Sequence, residues 1–398
     1  MGYVADALPL WPVPANWIEA VRETLAWLTD VQTARNGTQQ KRQLRLAPRR
    51  AFQFLVTAGG ADRRLLDALR FTQGVRQWLL PIYPDVQLLA SEVAAGAMTI
   101  ACRTAGFDFV AGGQAVVWLS ATRWELLSID TVDAGGLMLL TATQSSWPMG
   151  ARLYPVRKAR MVEPAKETQR SDDVGKVSVQ LLIDEPCDWP AAWPSAAIYR
   201  GVPVLEWRSD ESQDPEEQYV RTYQTVDEET GPVSYFDLPG MPFRTQAHRW
   251  ALDGRDQQAV FRSLLYQLAG RAGQLWVPSW RADLQLAQAA DGSDTLTVDW
   301  CGNTLFGQMQ PNRRDIRIEL YGGTVLYRRV TASIELGDTE QLLLDAPVGM
   351  SVEPAAVRAI SFLSMCQLAS DTVEINHLTD ADGAALASTS WQAVRNDV

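Results

Sequence analysis

The sequence predicts a mainly β protein with two short helices, built from two duplicated β-sandwich-plus-helix units that each carry a small β-barrel-like insertion. An alternating strand, a short amphipathic helix, a glycine and a tryptophan-containing strand occur in that order twice. Short apolar runs separated by glycine turns interrupt both copies at about ten-residue spacing. Apolar residues make up 46% of the 398 residues and charged residues 21%, which is the composition of a globular protein.

The first 50 residues (1–50) are predicted to form an N-terminal arm and a β-hairpin. Between residues 16 and 29 the apolar positions fit a helical face and also a strand, so periodicity leaves this segment open. The pair Asn36-Gly37 is typical of two-residue hairpin turns, because both central positions of such turns have a positive φ angle. We therefore expect two strands joined at this pair.

The first unit is predicted to span residues 51–186. Its helix, over about 62–73, is followed by Gly74, which lacks a Cβ and can adopt the left-handed conformation that ends many helices. The next strand contains Trp78. An insertion of about five short strands is expected over residues 86–154.

The second unit is predicted to span residues 247–398. A helix over about 257–269 is followed by Gly270, and the next strand contains Trp276. Its insertion is expected over about 282–357. Between the two units, residues 187–246 form an acidic connector that is predicted to contain bridging strands.

The spacing of the copies supports a duplication. Gly74 and Gly270 are 196 positions apart, and Pro81 and Pro278 are 197 apart. The two glycines are therefore expected to stop equivalent helices. The tryptophans of the two following strands are expected to be paired anchors of the core.

Charge and composition exclude several classes of function. The formal net charge is −11, whereas nucleic-acid binders usually present a basic face. No apolar run approaches the ~20 residues of a membrane helix, and the first residues lack the features of a signal peptide. We expect no membrane anchor, synthesis in the cytoplasm, and four free thiols, because no cysteine pair has metal-site or redox spacing.

The sequence contains no motif for catalysis, metal binding or cofactor binding. Its two histidines, His248 and His377, are too few for a histidine metal cluster and are expected to be structural. A Ser–His–Asp arrangement with His377 and Asp380 stays open, although no Gly-x-Ser-x-Gly turn supplies a nucleophile. Paired carboxylates from distant strands could serve glycoside hydrolysis. We expect no enzyme activity and no cofactor.

The hairpin region resembles the N-terminal signature of distal-tail and baseplate-hub proteins of long-tailed, siphovirus-like bacteriophages. The shared features are Thr29-Asp30, a glycine followed by a polar Gln39-Gln-Lys where Glu-Gln-Arg is usual, and the pair Arg49-Arg50 before an aromatic strand. The helix and the tryptophan strand follow in the order of that family. The resemblance covers about residues 25–85 and returns at 248–280.

The resemblance implies a structural ring at the tail tip of a virion. Such a ring joins the tail tube protein to hub, tape-measure or fibre proteins, and DNA only passes through it. A chain with two ring units would form a pseudo-six-fold ring from three copies, although six copies are possible. Arg42, Arg49 and Arg50 are then candidates for ion pairs between or within subunits. The alternative is a carbohydrate-binding tail module that uses an exposed insertion tryptophan such as Trp124.

Overall fold

A computed structural model describes residues 8–212, 214–308, 310–381 and 383–396. Over these ranges the protein is mainly β with two α-helices of 14 and 15 residues, as the sequence predicts. Two 3-10 turns, Tyr83–Asp85 and Pro354–Ala356, and one π-helical turn, Asn303–Gly307, complete the helical structure of the described residues.

The first unit and its insertion contain thirteen strands and one helix. They are β1 (Val21–Ala26), β2 (Thr29–Thr33), β3 (Gln39–Gln43), β4 (Arg49–Gly59), α1 (Gly60–Gln73), β5 (Gln77–Pro81), β6 (Gln87–Leu88), β7 (Thr99–Ala101), β8 (Gln114–Ser120), β9 (Arg123–Asp133), β10 (Gly136–Leu139), β11 (Arg152–Met161), β12 (Lys166–Gln169) and β13 (Val174–Ile183).

A short connector hairpin precedes the second unit, whose elements follow the same order. They are β14 (Ile198–Tyr199) and β15 (Val202–Pro203) in the connector, then β16 (Glu217–Val220), β17 (Tyr223–Val226), β18 (Ser234–Asp237), β19 (Phe243–Leu252), α2 (Gly254–Leu268), β20 (Leu275–Pro278), β21 (Thr295–Asp299), β22 (Asp315–Leu320), β23 (Val325–Leu336), β24 (Thr339–Leu344), β25 (Val357–Leu368), β26 (Thr372–His377) and β27 (Ala385–Ala393).

Strands of both units form one continuous antiparallel sheet. Its order is β16-β19-β27-β26-β1-β4-β13-β12, so the second unit supplies the first four strands and the first unit the last four. Strand β1 is the link, because it pairs with β4 of its own unit and with β26 of the other. The two ends of this sheet are β16 and β12.

The duplication extends further toward the N-terminus than the sequence suggested. Strand β1 pairs with β4 as β16 pairs with β19, and residues such as Glu23 and Glu217 correspond at a constant offset of 194 positions. The same offset relates the hairpin β2–β3 to the hairpin β17–β18. The predicted boundary at 246/247 therefore cuts through β19, and the boundary at 50/51 cuts through β4.

The hairpin turn at Gly37 differs from the predicted two-residue turn. The pairing of β2 with β3 ends at Thr33 and Gln39, and the amide of Ala34 donates to the carbonyl of Thr38. Gly37 has a φ of 87°, and Asn36 does not have a positive φ. Three residues therefore close the hairpin, in the pattern of a type I turn followed by a left-handed glycine.

Each unit has its own apolar core, and each insertion has another. The core of the first unit includes Trp11, Phe54, Leu66 and Trp78, and that of the second unit includes Trp250, Phe261 and other buried side chains of α2. The insertions bury separate clusters. In both, four strands pair in the same order, β8-β9-β10-β7 and β22-β23-β24-β21.

The second insertion closes into a small barrel. Strand β25 pairs with β22 at one side of the four-stranded set. At the other side, Leu284 bridges to Ile360 and Leu286 bridges to Val298, so the segment around residue 285 joins β25 to β21. The barrel-like prediction is therefore confirmed for this insertion.

The two helices end differently. Helix α1 ends at Gln73, and Gly74 follows with a φ of 54°, as predicted. Helix α2 ends at Leu268, and Ala269 takes the left-handed capping conformation with φ 50° and ψ 49°. Gly270 is therefore not the cap. A Cβ on Gly270 would lie 2.8 Å from the Cβ of Trp27 and 2.4 Å from Oδ1 of Asp371, so this glycine permits a close approach between the units.

Trp78 and Trp276 are both buried but are not structural equivalents. In the pairing with β11 and β25, Pro81 corresponds to Pro278, which makes Leu275 the counterpart of Trp78. Since neighbouring strand residues point to opposite faces, Trp276 lies in a separate cluster beside the connector. The Nε1–H group of Trp276 donates to the carbonyl of Tyr199 at 3.0 Å.

Candidate assembly interface

Strand β1 belongs to the cores of both units. Val21 packs in the core of the first unit, whereas Leu25 lies in the core of the second. Trp27 also packs in the second core, where its ring meets that of Tyr266 edge-on at 5.6 Å. The apolar side chains of this short strand therefore account for its strand conformation, which periodicity left open.

Glu23 is the buried charged centre of the joint between the units. Its carboxylate accepts hydrogen bonds from Arg50 of the first unit at 2.6 Å and from Arg262 of α2 at 2.8 Å. His377 of β26 lies at 2.8 Å from the same carboxylate. All four side chains are buried, so one carboxylate holds groups from both units.

The protonation states follow from these contacts. Burial alone would raise the pKa of Glu23, but the guanidinium groups of Arg262 and Arg50 outweigh it and hold this pKa well below its usual value. Burial lowers the pKa of His377, and the neighbouring Glu23 offsets this only in part. His377 is therefore neutral at pH 7, and its Nε2–H group donates to the carboxylate.

The charge network continues into the first insertion. Arg50 donates to Asp108 at 2.5 Å, and Arg157 donates to the other oxygen of Asp108 at 2.5 Å. Arg255 of α2 donates to Asp85 at 3.0 Å. Each buried charge here has an opposite charge as a partner, which is the condition for ionic groups to persist inside a protein.

The hairpin β2–β3 rests on the second unit. Thr29 donates from its amide and its hydroxyl to Asp371, at 2.7 and 2.8 Å. At the tip, Arg395 donates to the carbonyl of Asn36 at 2.7 Å. Gly37 lies against Phe243, since a Cβ on this glycine would be 2.5 Å from the phenyl ring. Contacts at the start of β2 and at the turn of the hairpin thus join the two units.

The second unit has the counterparts of β1 and of the hairpin β2–β3, namely β16 and β17–β18, but no further unit of the described chain packs against them. Glu217 pairs with Arg244 at 3.1 Å, in the same positions as Glu23 and Arg50. The hairpin β17–β18, however, is exposed. Its solvent-facing apolar side chains are Tyr223, Val226, Tyr235 and Phe236.

The predicted arginines occupy different environments. Arg50 is buried and forms its ion pairs within the chain, between elements of both units. Arg42 lies on the exposed face of the hairpin opposite Asp30, and Arg49 is exposed at the start of β4. Arg42 and Arg49 therefore remain available to another copy, whereas Arg50 does not.

Sequence reasoning missed the partners of Glu23. Arg262 is 239 residues away from it and His377 is 354 residues away. One signal was present, because Glu23 and Arg50 recur as Glu217 and Arg244 at the offset of 194 positions. A comparison of charged positions between the two copies would have identified the Glu23–Arg50 pair.

Two other predictions concern histidine and tryptophan. His248, which was expected to be structural, is buried and corresponds to Phe54 in the first unit. Trp124, chosen as an exposed tryptophan of the insertion, is buried at 7% exposure, so a sugar could not stack on it. Trp300, in the second insertion, is 45% exposed.

The cysteines, the metal-ligating side chains and the helices also bear on the sequence predictions. The four cysteines are free thiols. Within the described ranges, no set of three or more His, Cys, Asp or Glu side chains is arranged to hold a metal ion. Neither α1 nor α2, nor any other helix in this part of the chain, has the length and apolar character needed to cross a bilayer.

No protein-family model matches the chain, and no curated protein is significantly similar to it in sequence.

Proposed function

We propose that this protein is a structural component of a phage tail tip or baseplate, and that it forms a ring between the tail tube and the hub and host-binding proteins. The observation that carries the proposal is the joint at β1. Two equivalent units within one chain are already joined side by side through a shared sheet and a buried charge network. Repetition of a unit by one fixed contact is how cyclic assemblies are built.

The duplication favours three copies in the ring. A ring with six equivalent positions needs three copies of a chain with two units, which would adapt a six-fold tube to a three-fold tip. Six copies remain possible if only one unit of each chain takes part. The net charge of −11 suits a conduit, since an acidic wall repels DNA phosphates and lets the DNA pass.

The first test is the mass and shape of the purified protein. Light scattering should give about 132 kDa, three times the 44.1 kDa of one chain, and negative-stain imaging should show a ring with an axial channel. A protein that stays monomeric at high concentration contradicts self-assembly. In that case the carbohydrate-binding alternative is tested next, by glycan binding of the wild type against a Trp300→Ala variant.

A further inference from the structure

We propose that successive copies of this chain join through strand β16 and hairpin β17–β18 of one copy and strand β12 with the end of helix α1 of the next. This joint would repeat between chains the contact that β1 and the hairpin β2–β3 make with β26 and α2 within the chain. The partner is therefore a second copy of the same chain. The inference rests on the proposed ring and names the surfaces that close it.

The strand correspondence defines the register of the joint. Strand β16 corresponds to β1 and strand β12 corresponds to β26, because each pair has equivalent neighbours in its unit. Within the chain, Thr24 lies opposite Glu374. The corresponding residues are Gln218 and Lys166, which would lie opposite each other between two chains.

The charges at the two free edges are complementary. Within the chain, Arg22 of β1 and Glu374 of β26 approach to 3.7 Å across the joint. Their counterparts are Glu216 and Lys166, which would form the same pair between two copies with the signs exchanged. Cross-strand pairs of opposite charge stabilise a sheet, and like charges destabilise it.

Beyond this pair, one edge is acidic and the other carries both signs of charge. The chain leading into β16 and the loop of the following hairpin contain Asp210, Glu211, Asp214, Glu216, Asp227, Glu228 and Glu229. At the opposite end, Arg64 pairs with Asp173 and Arg70 pairs with Glu167, whereas Lys166 is exposed on β12. Two acidic edges repel each other, which favours a head-to-tail contact in which Glu216 of one copy meets Lys166 of the next.

The apolar surfaces correspond in the same way. Leu25 and Trp27 are buried against the second unit. Their counterparts, Tyr219 and Arg221, instead line an open cleft of about 400 Å³ beside Arg244. In the first unit, helix α2 covers the surface formed by Leu25 and Trp27. We therefore expect a helix from the next copy to fill the cleft beside Tyr219 and Arg221.

Helix α1 carries a side chain suited to this role. Tyr266, three residues before the cap of α2, packs on Trp27. Phe71, three residues before Gly74, holds the same position on α1 and is 91% exposed. In the proposed joint its ring would pack against Arg221, the counterpart of Trp27, in a cation–π contact.

The exposed edges also need an occupant on general grounds. An unpaired edge strand offers free amide and carbonyl groups that pair with other chains. A head-to-tail contact of two different edges gives a closed ring if its rotation closes and a filament if it does not.

A disulfide across the joint tests the proposal. Directly opposite residues of antiparallel strands have Cβ atoms about 4.5–5.5 Å apart, close to the separation that a disulfide spans. The Lys166→Cys/Gln218→Cys double variant of the full chain should form linked dimers and trimers on mild oxidation. Each single variant and the wild type serve as controls, and mixing the two single variants should give a linked dimer only.

A charge exchange provides a second, independent measurement. Lys166→Glu and Glu216→Lys should each weaken association severalfold, because each places like charges across the joint, and the double variant should restore it. Both side chains are exposed. Circular dichroism of the variants checks that the fold is retained.

The outcomes separate the joint from the ring. Linked trimers that remain ring-shaped support both. The wild-type protein could instead form rings although the double cysteine variant does not link and charge reversal has no effect. That result overturns the proposed joint but not the ring. Linked open chains without rings support the joint and overturn the closed ring. A protein that neither links nor assembles overturns both.

Discussion

Individual residues at the joint between the units carry buried charge, and their energetics differ from those of the surface. Glu23 is fully buried and has two arginines and a neutral histidine as partners. Loss of Glu23 leaves Arg262 buried without this carboxylate and leaves Arg50 with Asp108 alone, which costs more than an intact pair contributes. The joint therefore depends on Glu23 in particular.

Replacement of Glu23 by glutamine tests this dependence. Glu23→Gln keeps the shape of the side chain but removes the carboxylate that Arg262 contacts and one of the two carboxylates that Arg50 contacts. We expect the free energy of unfolding in urea to fall by about 3–5 kcal/mol. Glu374→Gln, which removes an exposed ion pair with Arg22, should cost at most about 1 kcal/mol. Equal losses for the two variants would contradict a special role for Glu23.

A second residue-scale prediction concerns acid stability. Burial lowers the pKa of His248 to about 4, and its Nδ1 atom has no hydrogen-bond partner in the described structure. The folded protein therefore binds this proton less readily than the unfolded chain. Stability contributed by neutral His248 is complete above about pH 6.5 and is lost as the pH falls toward 4.

The first unit suggests the matched variant, since Phe54 occupies the corresponding position. Between pH 7 and pH 5 the wild type should lose about 2 kcal/mol through His248, and His248→Phe should lack this loss. Urea unfolding at both pH values measures the difference. The same pH slope in the variant would show that His248 does not titrate in this way.

At the scale of the element, Gly270 after α2 has a role in tertiary packing and not the capping role that its local sequence suggested. Gly270 was expected to cap the helix, but Ala269 does so. Gly270 instead allows β1 to approach, because its Cα faces the Cβ of Trp27 and the carboxylate of Asp371. The helix end is thus shaped by contact with the other unit.

An alanine at this glycine should separate backbone strain from crowding. Gly270→Ala places a Cβ at a φ of 73° and also within 2.8 Å of Trp27. Gly112→Ala has the same φ of 73° but no atom within 4 Å, so it carries the strain alone. We expect thermal unfolding to show a loss of about 1 kcal/mol for Gly112→Ala and about 2–4 kcal/mol for Gly270→Ala. Similar losses would mean that the approach of β1 relaxes freely.

The hairpins illustrate what a local pattern can predict. The Asn36-Gly37 pair located the turn of β2–β3 correctly. It did not determine the loop length, which is three residues. The second hairpin, β17–β18, lacks such a pair and was placed in the connector.

At the scale of the whole molecule, the chain resembles a segment of a longer assembly. Strand β1 joins the units, and the two ends of the sheet, β12 and β16, carry the same elements as this internal joint. The proposed ring extends the sheet through these ends. Its copy number and its closure depend on the rotation between units, which is the property that the mass and imaging measurements report.

The sequence by itself determined the mainly β class, the two helices, the duplication and the separate insertions. These features depend on periodicity and on turn residues within short windows, and their physical causes are local. It also placed both helices to within a few residues, because the amphipathic patterns and the glycines mark them.

Only the tertiary structure decided which residues meet at the joint. Glu23 gathers Arg262 and His377 across more than 200 positions, and no local pattern records such a contact. A shift of one residue in a strand turns a side chain to the opposite face. Trp276 therefore lies outside the core of its unit, whereas Trp78 lies inside the core of the first unit. The charges that join the two units, and the edges left over for another copy, follow from that long-range pairing.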